Sequence, residues 1–377
     1  MFHPKFFKLN SIIFCILWCY SIGFSQTIPL ELICSLPDEI RESSGLISFN
    51  QGLSFWTHND SGGEAVLYEI NTKCEIIRKV IIGNAQNIDW EEICLDELGN
   101  IYIGDFGNNS NDRKNLIIYK IKSLDVHSLD SVVAEKIEFE YVNQSLFPPD
   151  VSAQNFDMEA FVWENDSLHL FSKNRTNPFS GFTYHHTLPD QEGMYKTVLR
   201  DSFYTGLGLM QQQWITGASI SADKSKLLLL SYDKAWIFYP LNSSNYFSSK
   251  IIPFRFTTLT QKEAVCFANE NEIWLTDEYL PSLRLGGNLY RLNLDPVINL
   301  TEDGLFQNYH AFPNPSAGML QILPKDFKKL IITDLYGKNI SSIYHHDQID
   351  LSFISPGIYI INIFNHQGAY KLLWSKN

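Results

Sequence analysis

Residues 91–105, EEICLDELGNIYIGD, contain the repeating unit that decides the fold. An acidic or small residue precedes a short apolar strand, a turn follows, and a second apolar strand ends in a polar residue. The same plan begins again at Ser44, Glu159, Gly217 and Glu263. These starts lie roughly 45–70 residues apart, and several short strands per unit at such spacing are typical of propeller blades.

Each unit also offers a third apolar strand and usually a fourth. The fifth unit has only residues 289–294 as its third strand before the pattern stops. The apolar segment 30–35, LELICS, is otherwise unpaired, so we expect it to close the ring as the outer strand of the last blade.

The sequence therefore predicts an all-β protein with a β-propeller over residues 26–295. We count five blades, and a sixth within residues 110–155 or 178–215 remains an alternative. A β-sandwich with coincidental spacing is the other fold that the pattern allows.

A second domain follows the predicted linker at residues 296–307. It contains PNPSAG at 313–318, DLYGK at 334–338 and PGIY at 356–359, and its alternating strands predict a small β-sandwich. This order of motifs over residues 308–377 resembles the type A sorting domain of type IX secretion. The resemblance implies a Bacteroidetes source, contact with the type IX machinery, and removal of the domain on export. It also implies a protein secreted or held at the outer cell surface.

The first 25 residues are typical of a signal peptide. Lys5 and Lys8 precede the apolar stretch 11–20, and small residues at Gly23 and Ser25 predict cleavage before Gln26. No later segment reaches the roughly twenty apolar residues of a membrane helix. We expect a mature chain without a transmembrane segment.

The net charge limits the classes of binding partner, and the positions of the cysteines indicate which thiols are free. The 377 residues carry a formal net charge of -13, so a nucleic-acid partner would be repelled, whereas cations would be attracted. Cys94 and Cys266 occupy the same repeat position, which predicts buried free thiols in two blades. The sequence does not decide whether Cys34 and Cys74 form a disulfide.

The propeller region also has a diffuse resemblance of its own, over residues 40–294. It lies in NIDWE at 87–91, GDFGNN at 104–109, FSKNR at 171–175 and ITGAS at 215–219. These segments resemble the SdiA-regulated, phytase-esterase-like and gluconolactonase-type propellers. The resemblance implies a fold more than a reaction.

Three glutamates stand at the start of the predicted innermost strands, where a propeller faces its channel: Glu91, Glu159 and Glu263. Converging carboxylates need protons, a basic partner or a cation, and Ca²⁺ prefers oxygen ligands. The gluconolactonase-type relatives hold a divalent ion in the channel with a similar glutamate. The alternative is that these carboxylates accept hydrogen bonds or pair with Lys and Arg. The loops 59–63 and 105–109 are also rich in oxygen ligands, although turn formation alone explains both.

The second strands end in residues that we expect at the same mouth of the channel: His58, Asp105, Lys173, Tyr232 and Asp277. His58 or Asp105 could act as a general base, and Lys173 could hold an anion. A solvated polar rim is the alternative.

Two functions follow from these observations. The first is an exported binding module for a polar small molecule, a glycan or a peptide. The alternative is a divalent-metal-dependent hydrolase of the lactonase or phosphoesterase type, with its site in the channel. Neither a G-x-S-x-G motif nor H-E-x-x-H is present, so the sequence leaves open whether the protein is an enzyme.

Overall fold

The computed structural model describes residues 27–206, 208–299, 310–323, 327–334, 337–344, 348–364 and 369–376. The predicted signal peptide and residues 300–307 of the predicted linker lie outside this part of the chain. A short helix, Asp295–Asn299, forms at the boundary between the predicted propeller and the predicted linker. Val297 is buried in this helix because it packs against the last two blades.

Five sheets, each built on four antiparallel strands, make up the described part of the chain before the helix. Blade 1 contains Ser43–Ile47, Ser54–Asn59, Val66–Asn71 and Ile76–Ile82. Blade 2 contains Trp90–Leu95, Ile101–Asp105, Leu116–Ile121 and Glu135–Glu140. Blade 3 contains Asp157–Glu164, Ser167–Lys173, Phe182–Pro189 and Val198–Tyr204. Blade 4 contains Gly217–Ile220, Leu227–Leu230, Lys234–Phe238 and Ile251–Phe256. Blade 5 contains Lys262–Asn269, Glu272–Asp277, Asn288–Asn293 and Glu31–Ser35.

The five blades form a closed ring. Each pair of neighbouring blades shares one hydrophobic core, and the fifth of these cores joins blade 5 to blade 1. In that last core Phe55 of blade 1 packs against Trp274 of blade 5, with 4.6 Å between the ring centroids and the rings tilted by 42°. The protein is therefore a five-bladed propeller, and the described residues form no sixth blade.

The predicted ring closure is confirmed. Glu31–Ser35 pairs with Asn288–Asn293 as the outer strand of blade 5, although the chain continues from it into blade 1. Cys34 in this strand forms a disulfide with Cys74 in the turn after Val66–Asn71, with 6.1 Å between the Cα atoms. Cys94 and Cys266 are buried free thiols in blades 2 and 5, as expected.

Short segments protect the outer edges of three blades. Thr27–Ile28, Ser131–Val132 and Gly193–Lys196 add a parallel fifth strand to blades 4, 1 and 2, respectively. Such coverage blocks the edge-to-edge pairing that leads to aggregation. The other helical segments among the described residues are one α-helix and four 3₁₀ turns: Ser123–Ser128, Asp38–Ile40, Val151–Ala153, Met210–Gln212 and Tyr246–Ser248.

Two further sheets form the C-terminal sandwich around a core of its own. One contains His310–Phe312, Met319–Leu323 and Ile349–Asp350. The other contains Asn339–Tyr344, Lys329–Thr333, Gly357–Phe364 and Ala369–Lys376.

The PNPSAG segment is tied to the last strand of this sandwich. Asn314 Oδ1 accepts a hydrogen bond from the Ser375 N–H at 2.8 Å, and Ser316 Oγ accepts one from Trp374 Nε1 at 3.0 Å. Gly318 has φ +121°, and a Cβ there would lie 2.5 Å from the Ser352 Cα. The motif residues therefore have structural roles that other side chains would not fill.

Candidate functional site

A β-bulge lies at the start of the inner strand in four blades. Each bulge leaves one residue unpaired between two register positions, and these residues are Ser44, Glu91, Glu159 and Glu263. They are four of the five positions that the repeat predicted to face the channel. The fifth, Gly217, pairs regularly with Leu230 in blade 4. Because a bulge re-aims a side chain, it turns the three glutamates out of their sheets towards one end of the channel.

The hairpin between the first two strands differs in length among the blades, so the second strands align differently from the sequence-based expectation. The residues that precede the bulges pair with Asn59, Asp105, Ser172 and Asp277. His58 therefore lies one residue before this position, and Lys173 lies one residue after it. In blades 1 and 5 the residues equivalent to Lys173 are Asp60 and Glu278.

His58 and Asp105 are fully buried, at 0% exposure each. The His58 ring packs edge-on against Trp90 at 5.4 Å, and burial lowers its pKa to about 4. Asp105 accepts a hydrogen bond from Arg113 at 2.8 Å and another from the Asp89 N–H at 3.1 Å. Both side chains serve packing and loop structure here, so neither is exposed to act on a substrate. Asp277 is likewise buried and accepts a hydrogen bond from Tyr290 at 2.8 Å.

Lys173 does face the channel glutamates. Its Nζ lies 2.8 Å from Glu159 Oε1, and the Arg175 guanidinium lies 3.7 Å from the same oxygen. Burial opposes the charge of Lys173, but the Glu159 and Glu263 carboxylates raise its pKa well above the usual value. Both cations also lie over the ring of Trp214, at 5.1 Å and 4.6 Å from its centroid. Glu159 is therefore paired with Lys173, while Arg175, whose closer partner is Asp157 at 2.6 Å, adds a second positive charge nearby.

Glu263 is partly satisfied. Its Oε1 accepts hydrogen bonds from Gln261 at 2.9 Å and from Tyr232 at 3.3 Å. Its Oε2 is buried and has no hydrogen-bond partner in the described part of the protein. Gln261 also donates to Glu278. Glu263 thus receives its hydrogen bonds from neutral donors, and the positive charge of Lys173 acts on it without a direct ion pair.

Glu91 differs from the other two glutamates. Only 4% of it is exposed, and its carboxylate makes no hydrogen bond or ion pair within the described ranges. Three carboxylate oxygens, one from each of Asp60, Asp89 and Glu91, lie within 4.8 Å of one another. Burial raises the pKa of Glu91 well above its usual value, and the charges of Glu159, Asp60 and Asp89 raise it further.

The two partner aspartates open this cluster towards solvent, because both are only partly buried. Burial raises the pKa of Asp60 to about 7, assisted by the charges of Asp89 and Glu263. Burial likewise raises the pKa of Asp89 to about 6. Gly107 makes the arrangement possible, since a Cβ there would lie 2.0 Å from Glu91 Oε1 and 2.5 Å from Asp89 Oδ2.

This cluster fits a Ca²⁺ ion by its donor set and its spacing. Ca²⁺ binds oxygen at about 2.3–2.6 Å, so two oxygens on one ion lie at most about 5 Å apart. Sequence reasoning identified Glu91 and noted the loop that contains Asp60, but it missed Asp89 as a partner. The two aspartates belong to different blades, so no sequence spacing connects them.

Comparisons with known proteins agree with the C-terminal assignment. Residues 310–373 match the family model described as "Secretion system C-terminal sorting domain", which confirms the predicted sorting domain. The protein is therefore exported by type IX secretion to the cell surface or the medium. Within the described ranges, no helix has the length and apolar character needed to cross a membrane. No curated protein sequence matches the chain.

Several solved structures resemble the chain at low identity. PorZ, an essential surface component of the type IX secretion system of Porphyromonas gingivalis, is 10% identical with a TM-score of 0.32; the match covers 89% of this chain and 45% of PorZ. Aldose sugar dehydrogenase from Streptomyces coelicolor is 11% identical with a TM-score of 0.38, and the match covers 70% and 97%. The Cps50 propeller domain from Myceliophteria thermophila is 7% identical with a TM-score of 0.37, and the match covers 70% and 99%. The chain spans less than half the length of PorZ, and these similarities carry no argument about function.

Proposed function

We propose that the propeller is an exported binding module whose ligand site lies at the channel mouth. In this proposal a Ca²⁺ ion held by Asp60, Asp89 and Glu91 forms part of the site. The observation that carries it is the buried Glu91 side chain, whose carboxylate makes no hydrogen bond or ion pair among the described residues yet lies within 4.8 Å of two aspartate oxygens. An unpaired buried carboxylate costs several kcal/mol, and a cation would offset this cost.

The coordination that the cluster leaves open suggests the kind of ligand. Ca²⁺ takes six to eight oxygen ligands, whereas three carboxylates supply between three and six. A hydroxyl, carbonyl or carboxylate oxygen of a glycan, peptide or small polar molecule could fill the remaining positions. The partial exposure of Asp60 and Asp89 supports access from solvent.

The first test is a thermal melt of the chain from Gln26 onward, with excess Ca²⁺ and with chelator, together with elemental analysis. At a Ca²⁺ concentration one hundred times the dissociation constant, we expect a stabilisation of about 2.7 kcal/mol. The shift should be lost in Glu91→Gln and in Gly107→Ala, whose new methyl group would displace two ligand carboxylates. Gly63→Ala is the matched control, because the nearest atom to its Cβ is 3.9 Å away.

Two results would overturn the cation site. One is an unchanged melting temperature in the wild type with no metal detected. The other is a Ca²⁺ shift that survives in Glu91→Gln but disappears in Glu159→Gln and Glu263→Gln, which would move the ion to the other two glutamates.

The binding function is tested separately with glycan and peptide arrays. We expect retention on the array in Ca²⁺, and loss of that retention in chelator and in Glu91→Gln. Metal-dependent turnover of lactone or phosphoester substrates, with no retained ligand, would favour the hydrolase alternative instead.

A further inference from the structure

Asp201 connects the propeller to the sorting domain. It lies in Val198–Tyr204, the outer strand of blade 3, and only 7% of it is exposed. Its Oδ1 accepts hydrogen bonds from the neighbouring Ser202 N–H at 2.7 Å and from the Asn314 N–H at 2.9 Å. Asn314 is the central residue of the PNP motif. The second carboxylate oxygen, Oδ2, is buried without a hydrogen-bond partner in the described chain.

The side chain and the backbone of Asn314 make hydrogen bonds to different domains. Its side-chain Oδ1 binds the Ser375 N–H inside the sorting domain, while its backbone N–H binds the propeller. Asn314 itself is only 5% exposed. Beside it, His310–Phe312 lies against the 3₁₀ turn Tyr246–Ser248, which in turn packs against the strand that contains Asp201. The motif is therefore seated on the propeller by contacts with two separate propeller elements.

A buried carboxylate in an outer blade strand needs a structural reason. Burial raises the pKa of Asp201 to about 7, and the N–H groups of Asn314 and Ser202 oppose this rise. If this side chain packed only within the blade, an apolar residue at position 201 would make the fold more stable than an aspartate does. The donor from another domain is what distinguishes Asp201 from an ordinary blade residue.

We propose that blade 3 carries a docking site for the chain's own sorting domain, and that Asp201 recognises the backbone of the PNP motif. The dock holds the sorting domain in a fixed position on the folded propeller. Removal of the sorting domain takes away the Asn314 donor and uncovers Asp201. This inference is independent of the cation site, which lies at the channel mouth.

The test is hydrogen exchange, followed by mass spectrometry, on the full chain from Gln26. Asp201→Asn and Asp201→Leu have similar volumes, but only the amide retains an acceptor oxygen. We expect peptides covering residues 310–318 to exchange roughly tenfold faster in the leucine variant than in the wild type, because the hydrogen bond to the buried Asp201 carboxyl is lost. The asparagine variant should lie between the two.

Two controls keep this result specific. Asp112 is an exposed aspartate, and Asp112→Leu should leave the exchange of residues 310–318 unchanged. Residues 227–230 in blade 4 should exchange equally slowly in every variant, which excludes general unfolding. Small-angle scattering of the leucine variant should show a larger radius of gyration. Equal protection of residues 310–318 in the leucine, asparagine and wild-type proteins would overturn the dock.

Discussion

The Glu92 carboxylate of blade 2 reaches across the channel and accepts a hydrogen bond from the Ala218 N–H of blade 4 at 3.0 Å. Its other oxygen accepts one from the Ile93 N–H, also at 3.0 Å. Gly217 leaves the room for this bond, because a Cβ there would lie 3.3 Å from Glu92 Oε2 and 2.9 Å from the Glu263 carbonyl oxygen. A side chain from one blade thus ties together two blades that are not neighbours in the ring.

We expect Glu92→Ala to lower the free energy of unfolding by about 2–4 kcal/mol, because it leaves buried N–H groups without acceptors and opens a cavity. Glu92→Gln should cost less. Burial raises the pKa of Glu92, so a neutral side chain is tolerated there, and the amide oxygen can still accept one bond. Urea unfolding measures both changes. Exposed Glu97→Ala is the control, and an alanine variant at position 92 as stable as this control would contradict the prediction.

Glu92 and its neighbour Glu91 also show where sequence reasoning succeeded and where it stopped. The apolar alternation, the five unit starts and the unpaired segment 30–35 were enough to predict the ring and its closure. The bulges were not predictable, because an extra residue in one strand leaves the composition of the repeat unchanged. The hairpins between the first two strands also differ in length from blade to blade, so the sequence aligned His58 with Lys173, whereas the equivalent residue is Asp60, two positions further along.

The disulfide between Cys34 and Cys74 gives a second prediction. It fastens the closing strand of blade 5 to blade 1 across 40 residues of sequence. The double variant Cys34→Ser, Cys74→Ser should lose about 2–4 kcal/mol of unfolding free energy, because the unfolded chain is no longer constrained. Unfolding with and without reductant measures the effect. Reductant should destabilise the wild type and leave the double variant unchanged; a wild type insensitive to reductant would refute the prediction.

Gly318 gives a prediction about export. A Cβ at this position would lie 2.5 Å from the Ser352 Cα, and the residue has φ +121°. We therefore expect Gly318→Ala to disrupt the sorting domain and to leave the protein in the periplasm of its host, while the propeller still melts normally. Cell fractionation provides the measurement. The adjacent, exposed Ala317→Ser should be exported as usual, and normal export of Gly318→Ala would disprove the idea.

A buried histidine in blade 3 gives a prediction about acid stability. His186 is 0% exposed, and its Nδ1 lies 2.9 Å from Thr197 Oγ1. Its Nε2 is buried and unpartnered in the described chain. Burial lowers its pKa from 6.5 to about 3, so the folded protein binds fewer protons than the unfolded chain between these values. The stabilisation is fully present above pH 6.5 and is lost as the pH falls towards the folded pKa.

Other groups in the propeller titrate in the opposite direction, so the decisive quantity is the difference between two proteins. Between pH 7.5 and pH 5, the wild type should lose about 2 kcal/mol more unfolding free energy than His186→Phe, which has no group to protonate. His169 and His185 remain in both proteins, so their contributions largely cancel. Urea unfolding across this pH range gives the two slopes. A His186→Phe curve parallel to that of the wild type would show that His186 is not buried in its neutral form.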